Sequence, residues 1–353
     1  MAEHFMLKEL REGPEAVKKT LQFCEKLVEG IHDRIASLGV DKGFIIGSGT
    51  SFHASVATQY LVNKFTKYHF TAVPASEFED WTPLVTNDYI IFGYSQSGES
   101  SDIIKAVKVA KTKGIFVIGI TNTKDSTLTK VSDFSLVTQA GEEKAVVATK
   151  TYDAQLTAGS LLAYSLSKHE RAQKLKELLL KDIASKLEDV LKREKEIKEL
   201  AEKYKDVEHI YILGRGVNYA NALEAGLKFK EAAMIHSEGF AVREFLHGPI
   251  QLVDEKTPVI VLLPTKTALE GSLKALEKLK GYNAPVIGIV GDEVKADEYV
   301  RETIVIPTVE DELSVLPVVK AIQILAYYLS VLRGLNPDKP TKLTKVVKYE
   351  KSK

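Results

Sequence analysis

The chain has 353 residues, 44% of them hydrophobic, which suits two domains with full cores and excludes a disordered protein. Lys+Arg and Asp+Glu both number 48, so there is no basic surplus of the kind that binds nucleic acid. Cys24 is the only cysteine, which excludes an intrachain disulfide and a cysteine metal cluster and fits a cytoplasmic protein; no leader-like N-terminal run and no bilayer-spanning apolar stretch stands out.

The first predicted element is a helix. Val17, Leu21, Cys24, Val28, Ile31 and Ile35 recur at steps of three and four, with Gly39 as the stop. Cys24 lies on that stripe and reads as a core residue. GFIIGSGTSFHASVATQYLV follows: a short apolar strand, a glycine loop, then a helix. FTAVPA (70–75), YIIFGY (89–94), IFVIGI (115–120) and FSLV (134–137) read as further buried strands, and helical patterns occupy 101–113 and 152–167. Continuous apolar strands alternating with helices predict an α/β fold with a parallel sheet covered on both faces. Residues 168 to about 206 are charged, free of Gly and Pro, and helical in period, with Leu175, Leu179, Ile183, Leu187 and Leu191 as the packed face.

The pattern then begins again. HIYILGRGVNYANALEAGLKFKEA repeats the strand, Gly-x-Gly and helix of the first unit, and TPVIVLLPTKTALEGSLKALEKLK stands where DYIIFGYSQSGESSDIIKAVKVAK stood. Two copies of one α/β unit are predicted, residues 1–190 and 191–353. The copies differ in chemistry: Ser95, Ser97, Ser100 and Ser101 have Leu263-Pro264-Thr265-Lys266-Thr267 as their counterpart.

Loops beyond the carboxyl ends of parallel strands are where ligands bind, and helix N-termini there favour anions. Ser95, Ser97 and Ser100 would add hydroxyl donors, Gly98 allows close backbone approach, and Ser48, Gly49, Thr50 and Ser51 form a second set. Neither loop has the lysine of an ATP-type phosphate loop, and GSGTSF lacks the third glycine of the dinucleotide fingerprint, so a compact monophosphate fits best. In the second copy, Glu224, Lys228 and Glu231 share a helix face at i, i+4, i+7; by spacing alone they read better as an exposed charged stripe, and the segment that follows shifts the weight towards a functional group. HSEGFAVREFLHGPIQL follows, with Glu238, Glu244 and His247 in a glycine-containing segment. His247, fixed before Gly248-Pro249, is a candidate for proton transfer, and His236 reads as structural.

Taken together, SQSGES, LEAGLKFKEA, EFLHGP and the tail DKPTKLTKVVKYE resemble the isomerase half of glucosamine-6-phosphate synthase, from about residue 40 to the C-terminus. That resemblance implies two tandem sugar-isomerase (SIS) domains, each a flavodoxin-like parallel sheet between helices. It implies that Thr50, Ser51, Ser95, Gln96, Ser97 and Ser100 hold a sugar phosphate and nearby hydroxyls. Glu231 matches the glutamate that moves a proton between C1 and C2, with Glu224 and Lys228 as its neighbours. His247 matches the ring-opening histidine, contributed across a homodimer with shared sites, and Lys345 matches the tail lysine that contacts the open-chain sugar.

Departures from the family pattern are also legible. The glutaminase domain is expected to be absent, with Met1-Ala2 in place of an N-terminal cysteine nucleophile; Ala148 replaces a serine near the sugar, Leu246 replaces a lysine, and Lys351-Ser352-Lys353 extend the tail. The reaction this implies is deamination of glucosamine 6-phosphate to fructose 6-phosphate and ammonia, with no metal or other cofactor and no membrane or nucleic-acid partner. Its rivals are an aldose–ketose sugar-phosphate isomerase or a deglycase, a free-ammonia synthase running the same reaction in the other direction, and a non-catalytic sugar-phosphate sensor.

Overall fold

The computed structural model describes residues 3–345; Met1, Ala2 and residues 346–353, with the expectations that concern them, lie outside the described residues. Helices α1 (Phe5–Arg11), α2 (Gly13–Val28) and α3 (Ile31–Ala36) open the chain. The single helix expected from the apolar stripe is thus broken in two, and Gly30 is the cause. It sits at φ +75°, a left-handed conformation open to glycine, and it caps α3. All six stripe residues are nonetheless buried. Cys24 is among them, fully buried as expected of a core residue, and burial pushes its thiol up to about 12.

The next elements alternate as expected. They are β1 (Lys42–Gly47), α4 (Thr50–Phe65), β2 (His69–Pro74), α5 (Phe78–Trp81), β3 (Ile90–Tyr94), α6 (Ser101–Thr112), β4 (Phe116–Thr121), α7 (Thr127–Val131), β5 (Phe134–Val137) and α8 (Lys150–Ser165). The strands form one parallel sheet in the order β2-β1-β3-β4-β5. That is the doubly wound flavodoxin-like order, with its switch point between β1 and β3. Ile46, Val73, Ile91, Val107, Val117 and Leu128 belong to its core.

The charged connector forms α9 (Glu170–Leu191) and α10 (Glu194–Tyr204). Leu175, Leu179, Ile183 and Leu187 are buried, and Leu191 is partly so. Then come β6 (His209–Gly214), α11 (Asn218–Ala233), β7 (His236–Ala241), β8 (Val259–Leu263), α12 (Lys266–Gly281), β9 (Val286–Gly291), β10 (Glu302–Ile306) and α13 (Val315–Leu332). Their strands form a second parallel sheet, ordered β10-β9-β8-β6-β7, which repeats the first topology. Alternation along the strands divides its apolar residues between two cores. Ile210, Ile212, Ile260, Leu262, Ile287 and Ile289 face one, and Tyr211, Leu213, Val259, Val261, Leu263 and Val286 the other.

One sequence expectation needs correction. Helix α13 is long and apolar enough to cross a bilayer by length and composition alone, although no such stretch was expected. It is 83% buried within the protein. It also carries Lys320 and Gln323, whose side chains bond to each other and to the carbonyls of Leu10 and Thr149, as a core helix does.

The chain divides into two compact units. Residues 15–143 and 150–181, with Thr344 and Lys345, make up the first; residues 3–14, 144–149 and 182–343 make up the second.

Candidate active site

In the first unit, two loops leave the carboxyl ends of neighbouring strands at the switch point. Gly47 ends β1, and Thr50 and Ser51 open α4. Tyr94 ends β3, and residues 95–100 lead into α6. Both loops therefore present a helix N-terminus beside the same strand ends, as an anion cradle requires.

The serines differ in what they do. Ser95 is buried, and its hydroxyl accepts the Gly98 N–H at 3.1 Å, folding the loop back on itself. The Ser97 hydroxyl accepts the Glu99 N–H at 3.1 Å. Ser100 is the residue preceding α6 and makes no side-chain cap bond. Half-buried Gln96 anchors the loop by its carbonyl, which accepts from the Asn122 N–H at 3.0 Å and the Thr121 hydroxyl at 3.2 Å. Gly98 is required twice over. Its φ is +66°, and a Cβ there would come within 2.2 Å of the Ser126 hydroxyl. Ser51 is pinned by the Gln155 amide, which donates to its hydroxyl at 2.9 Å. Gln155, on α8, carries no signal in the sequence; only the fold brings it to the loop.

These contacts predict a graded loss. Ser97→Ala is expected to weaken sugar-phosphate binding by about 1–3 kcal/mol, through one missing donor to the anion and a looser turn at Glu99. Isothermal titration with a sugar phosphate reads this directly, and unchanged affinity contradicts the cradle.

Lys345 belongs to the same unit, and its ammonium lies 2.7 Å from a Glu143 carboxylate oxygen. Glu143 was passed over in the sequence, where it stands in an unremarkable EEK run. Ala148 falls in the segment 144–149 of the second unit. There Glu9 accepts the Ala145 N–H at 3.2 Å, the Val146 N–H reaches the Asp338 carbonyl at 3.0 Å, and Gln323 holds the Thr149 carbonyl at 3.1 Å.

The second unit carries Glu224, Lys228 and Glu231 on α11. Glu224 and Lys228 are each 1% exposed, and Glu231 is 22% exposed, so the reading as an exposed charged stripe fails. Lys228 Nζ lies 3.4 Å from Glu224 and forms a close ion pair with Glu231. Burial works against the Lys228 charge, but the carboxylates of Glu224 and Glu231 outweigh it and hold the ammonium above the ordinary lysine range. Three charged groups kept at one site on a core-facing helix are costly unless they serve a purpose. Glu231 is the most accessible of the three.

His247 stands on a separate short turn, Glu244–His247, and is exposed, with no hydrogen-bond partner among the described residues. Leu246 packs against the second core beside it. His236 is exposed rather than packed; its Nδ1 lies 3.2 Å from His209 Nδ1 across the β6–β7 pair. Among the described residues, no cluster of three His, Cys, Asp or Glu has metal-binding geometry.

Two parallel sheets of one topology, with hydroxyl-rich switch-point loops in the first, define a doubly wound ligand-binding class. The chain belongs to the SIS-domain family, whose model matches residues 40–165 and 203–333. It is 36% identical over 350 residues to the glutamine–fructose-6-phosphate aminotransferase (isomerizing) of Pyrococcus horikoshii, covering 99% of this chain and 58% of that protein. To the enzyme of the same name from Aquifex aeolicus it is 38% identical over 351 residues, covering 98% and 58%. The chain thus spans somewhat under two thirds of the length of these relatives. The solved C-terminal domain of glucosamine-fructose-6-phosphate aminotransferase from Francisella tularensis superposes with a TM-score of 0.84 at 28% identity, covering 96% of this chain and 98% of that one.

Proposed function

We propose that the chain is a sugar-phosphate isomerase whose reaction is the deamination of glucosamine 6-phosphate to fructose 6-phosphate and ammonia. The observation that carries this reading is the Glu224–Lys228–Glu231 group on α11, with Lys228 and Glu224 buried and Glu231 partly accessible, in a protein whose other unit holds the hydroxyl-lined loops. The names of the relatives, which describe amination and isomerisation of fructose 6-phosphate, support the same carbon skeleton. A sensor needs a cradle but has no use for a buried acid–base group, which counts against that rival.

The chemistry balances without an outside oxidant or reductant. His247 of the partner subunit assists ring opening, which exposes the C1 aldehyde beside the C2 amine. Glu231 takes the C2 proton as the electron pair moves to the C1–C2 bond and the C1 oxygen gains a proton. Reprotonation at C1 leaves an imine at C2, which water converts to the ketone with release of ammonia. Lys228 holds Glu231 in place, Lys345 contacts the reactive end of the sugar, and the cradle of Thr50, Ser51, Ser95, Gln96, Ser97 and Ser100 holds the phosphate throughout.

A C2-deuterated substrate tests this directly. Turnover in D2O as well as in H2O should show a primary isotope effect on the C2 label and solvent deuterium at C1 of the fructose 6-phosphate; complete transfer of the C2 label to C1, with no solvent deuterium incorporated, contradicts a proton carried by Glu231. The same groups run the amination of fructose 6-phosphate, which the relatives' names favour where ammonia is supplied. Equilibrium from both sides decides the direction.

His247 is exposed and stands on a turn apart from α11, which supports a site shared between two copies. Hybrid dimers of Glu231→Gln and His247→Ala chains, each inactive alone, are expected to regain up to about a quarter to a half of wild-type activity, since shared sites leave one intact site per hybrid. No recovery on mixing, or full activity from a monomer, contradicts the sharing.

A further inference from the structure

Glu143 follows β5 in the first unit, and its side chain is fully buried. Three donors converge on its carboxylate: the Thr151 N–H at 3.1 Å, the Thr151 hydroxyl at 2.7 Å and the Lys345 ammonium at 2.7 Å. Thr151 lies in the first turn of α8, so the carboxylate also sits at the positive end of a 16-residue helix. A buried carboxylate needs such compensation, and here part of it comes from a residue at the end of the described chain.

Lys345 has no helix or strand to place it. Its long stem leaves the ammonium free to wander unless a partner fixes it. Glu143 supplies that partner from a rigid frame. The Asn122 side chain accepts from the Thr138 hydroxyl and the Ala140 N–H, both at 2.9 Å, and donates to the Gly141 carbonyl at 2.7 Å. The Asn122 backbone N–H donates to the Gln96 carbonyl in the phosphate loop at 3.0 Å. The segment that carries Glu143 and the loop that would hold the phosphate are therefore tied through one residue.

We propose that Glu143 is the positioning residue of Lys345: it sets the place of the ammonium relative to the cradle, and hence to the sugar's reactive end. This rests on the proposed role of Lys345 as a sugar contact. Glu143 itself touches no substrate; it acts through the lysine. A displacement of about 1 Å in a reacting contact costs on the order of a hundredfold in rate.

The test is a double-variant cycle on kcat and KM with glucosamine 6-phosphate, alongside thermal unfolding. Glu143→Gln keeps the side chain's size and removes its charge. It is expected to lower kcat about ten- to a hundredfold with KM changed less than about threefold, because the phosphate loop is untouched. Lys345→Met should show a similar loss, and the double variant should be no worse than the poorer single one. Glu143→Asp should recover part of the rate. If Glu143→Gln fails to fold, Thr151→Val, which removes a donor beside the lysine, should lower kcat several-fold. Wild-type kcat in whichever variant folds, or losses that multiply in the double variant, overturns the positioning role. Wild-type protein that turns over no sugar phosphate overturns the functional reading beneath it instead.

Discussion

Glu231→Gln is expected to bind glucosamine 6-phosphate nearly as well as the wild type and to release ammonia about a hundred- to ten-thousandfold more slowly. Glutamine matches glutamate in shape and can still pair with the buried Lys228, so folding and the phosphate loop are spared. What it lacks is a base for the C2 proton, and positioned acid–base catalysis is worth roughly that factor. Binding by titration and turnover by ammonia release separate the two effects. A variant that binds normally and turns over at more than about a tenth of the wild-type rate removes Glu231 from the chemistry.

Lys228→Met is expected to have the larger effect on folding. The lysine lies between two carboxylates and is 1% exposed, so its loss leaves the buried Glu224 and the partly buried Glu231 without this cation. Breaking a buried ion group in this way costs about 3–5 kcal/mol, whereas an exposed stripe would lose at most about 1 kcal/mol. Denaturant unfolding distinguishes them. The pH dependence follows from the raised lysine pKa. Its stabilisation is complete below the ordinary value of 10.5 and is lost as pH climbs through the higher value of the folded protein. Wild-type protein should show this loss only in alkali, and Lys228→Met should lack the step. A loss of less than 1 kcal/mol at neutral pH contradicts the buried network.

Much of the architecture was legible because the parallel strands are apolar throughout. β3 and β8 are buried at every position, and such runs stand out between helices of different period. The repeat was visible for the same reason, since each strand end carries its loop at the same place. Helix breaks were less so: Gly30 interrupts an apolar stripe that continues in phase on both sides. At the site, spacing placed Glu224, Lys228 and Glu231 on one face but carried no information about whether that face met water. Burial decided it. Gln155 and Glu143 were beyond reach for another reason. Gln155 bonds a partner 104 residues away, and the Lys345 that reaches Glu143 is 202 residues away; an isolated polar residue leaves no pattern. Local motifs are read from sequence; contacts made by folding are not.

Stoichiometric product analysis tests the central claim most directly. Purified protein given glucosamine 6-phosphate alone should release ammonia and fructose 6-phosphate in equal amounts, at a rate lowered about a hundredfold or more in Glu231→Gln, with glucose 6-phosphate as the control sugar. Isomerisation of glucose 6-phosphate, with no ammonia appearing from the amino sugar at any enzyme concentration, would contradict deamination and leave a simple aldose–ketose isomerase.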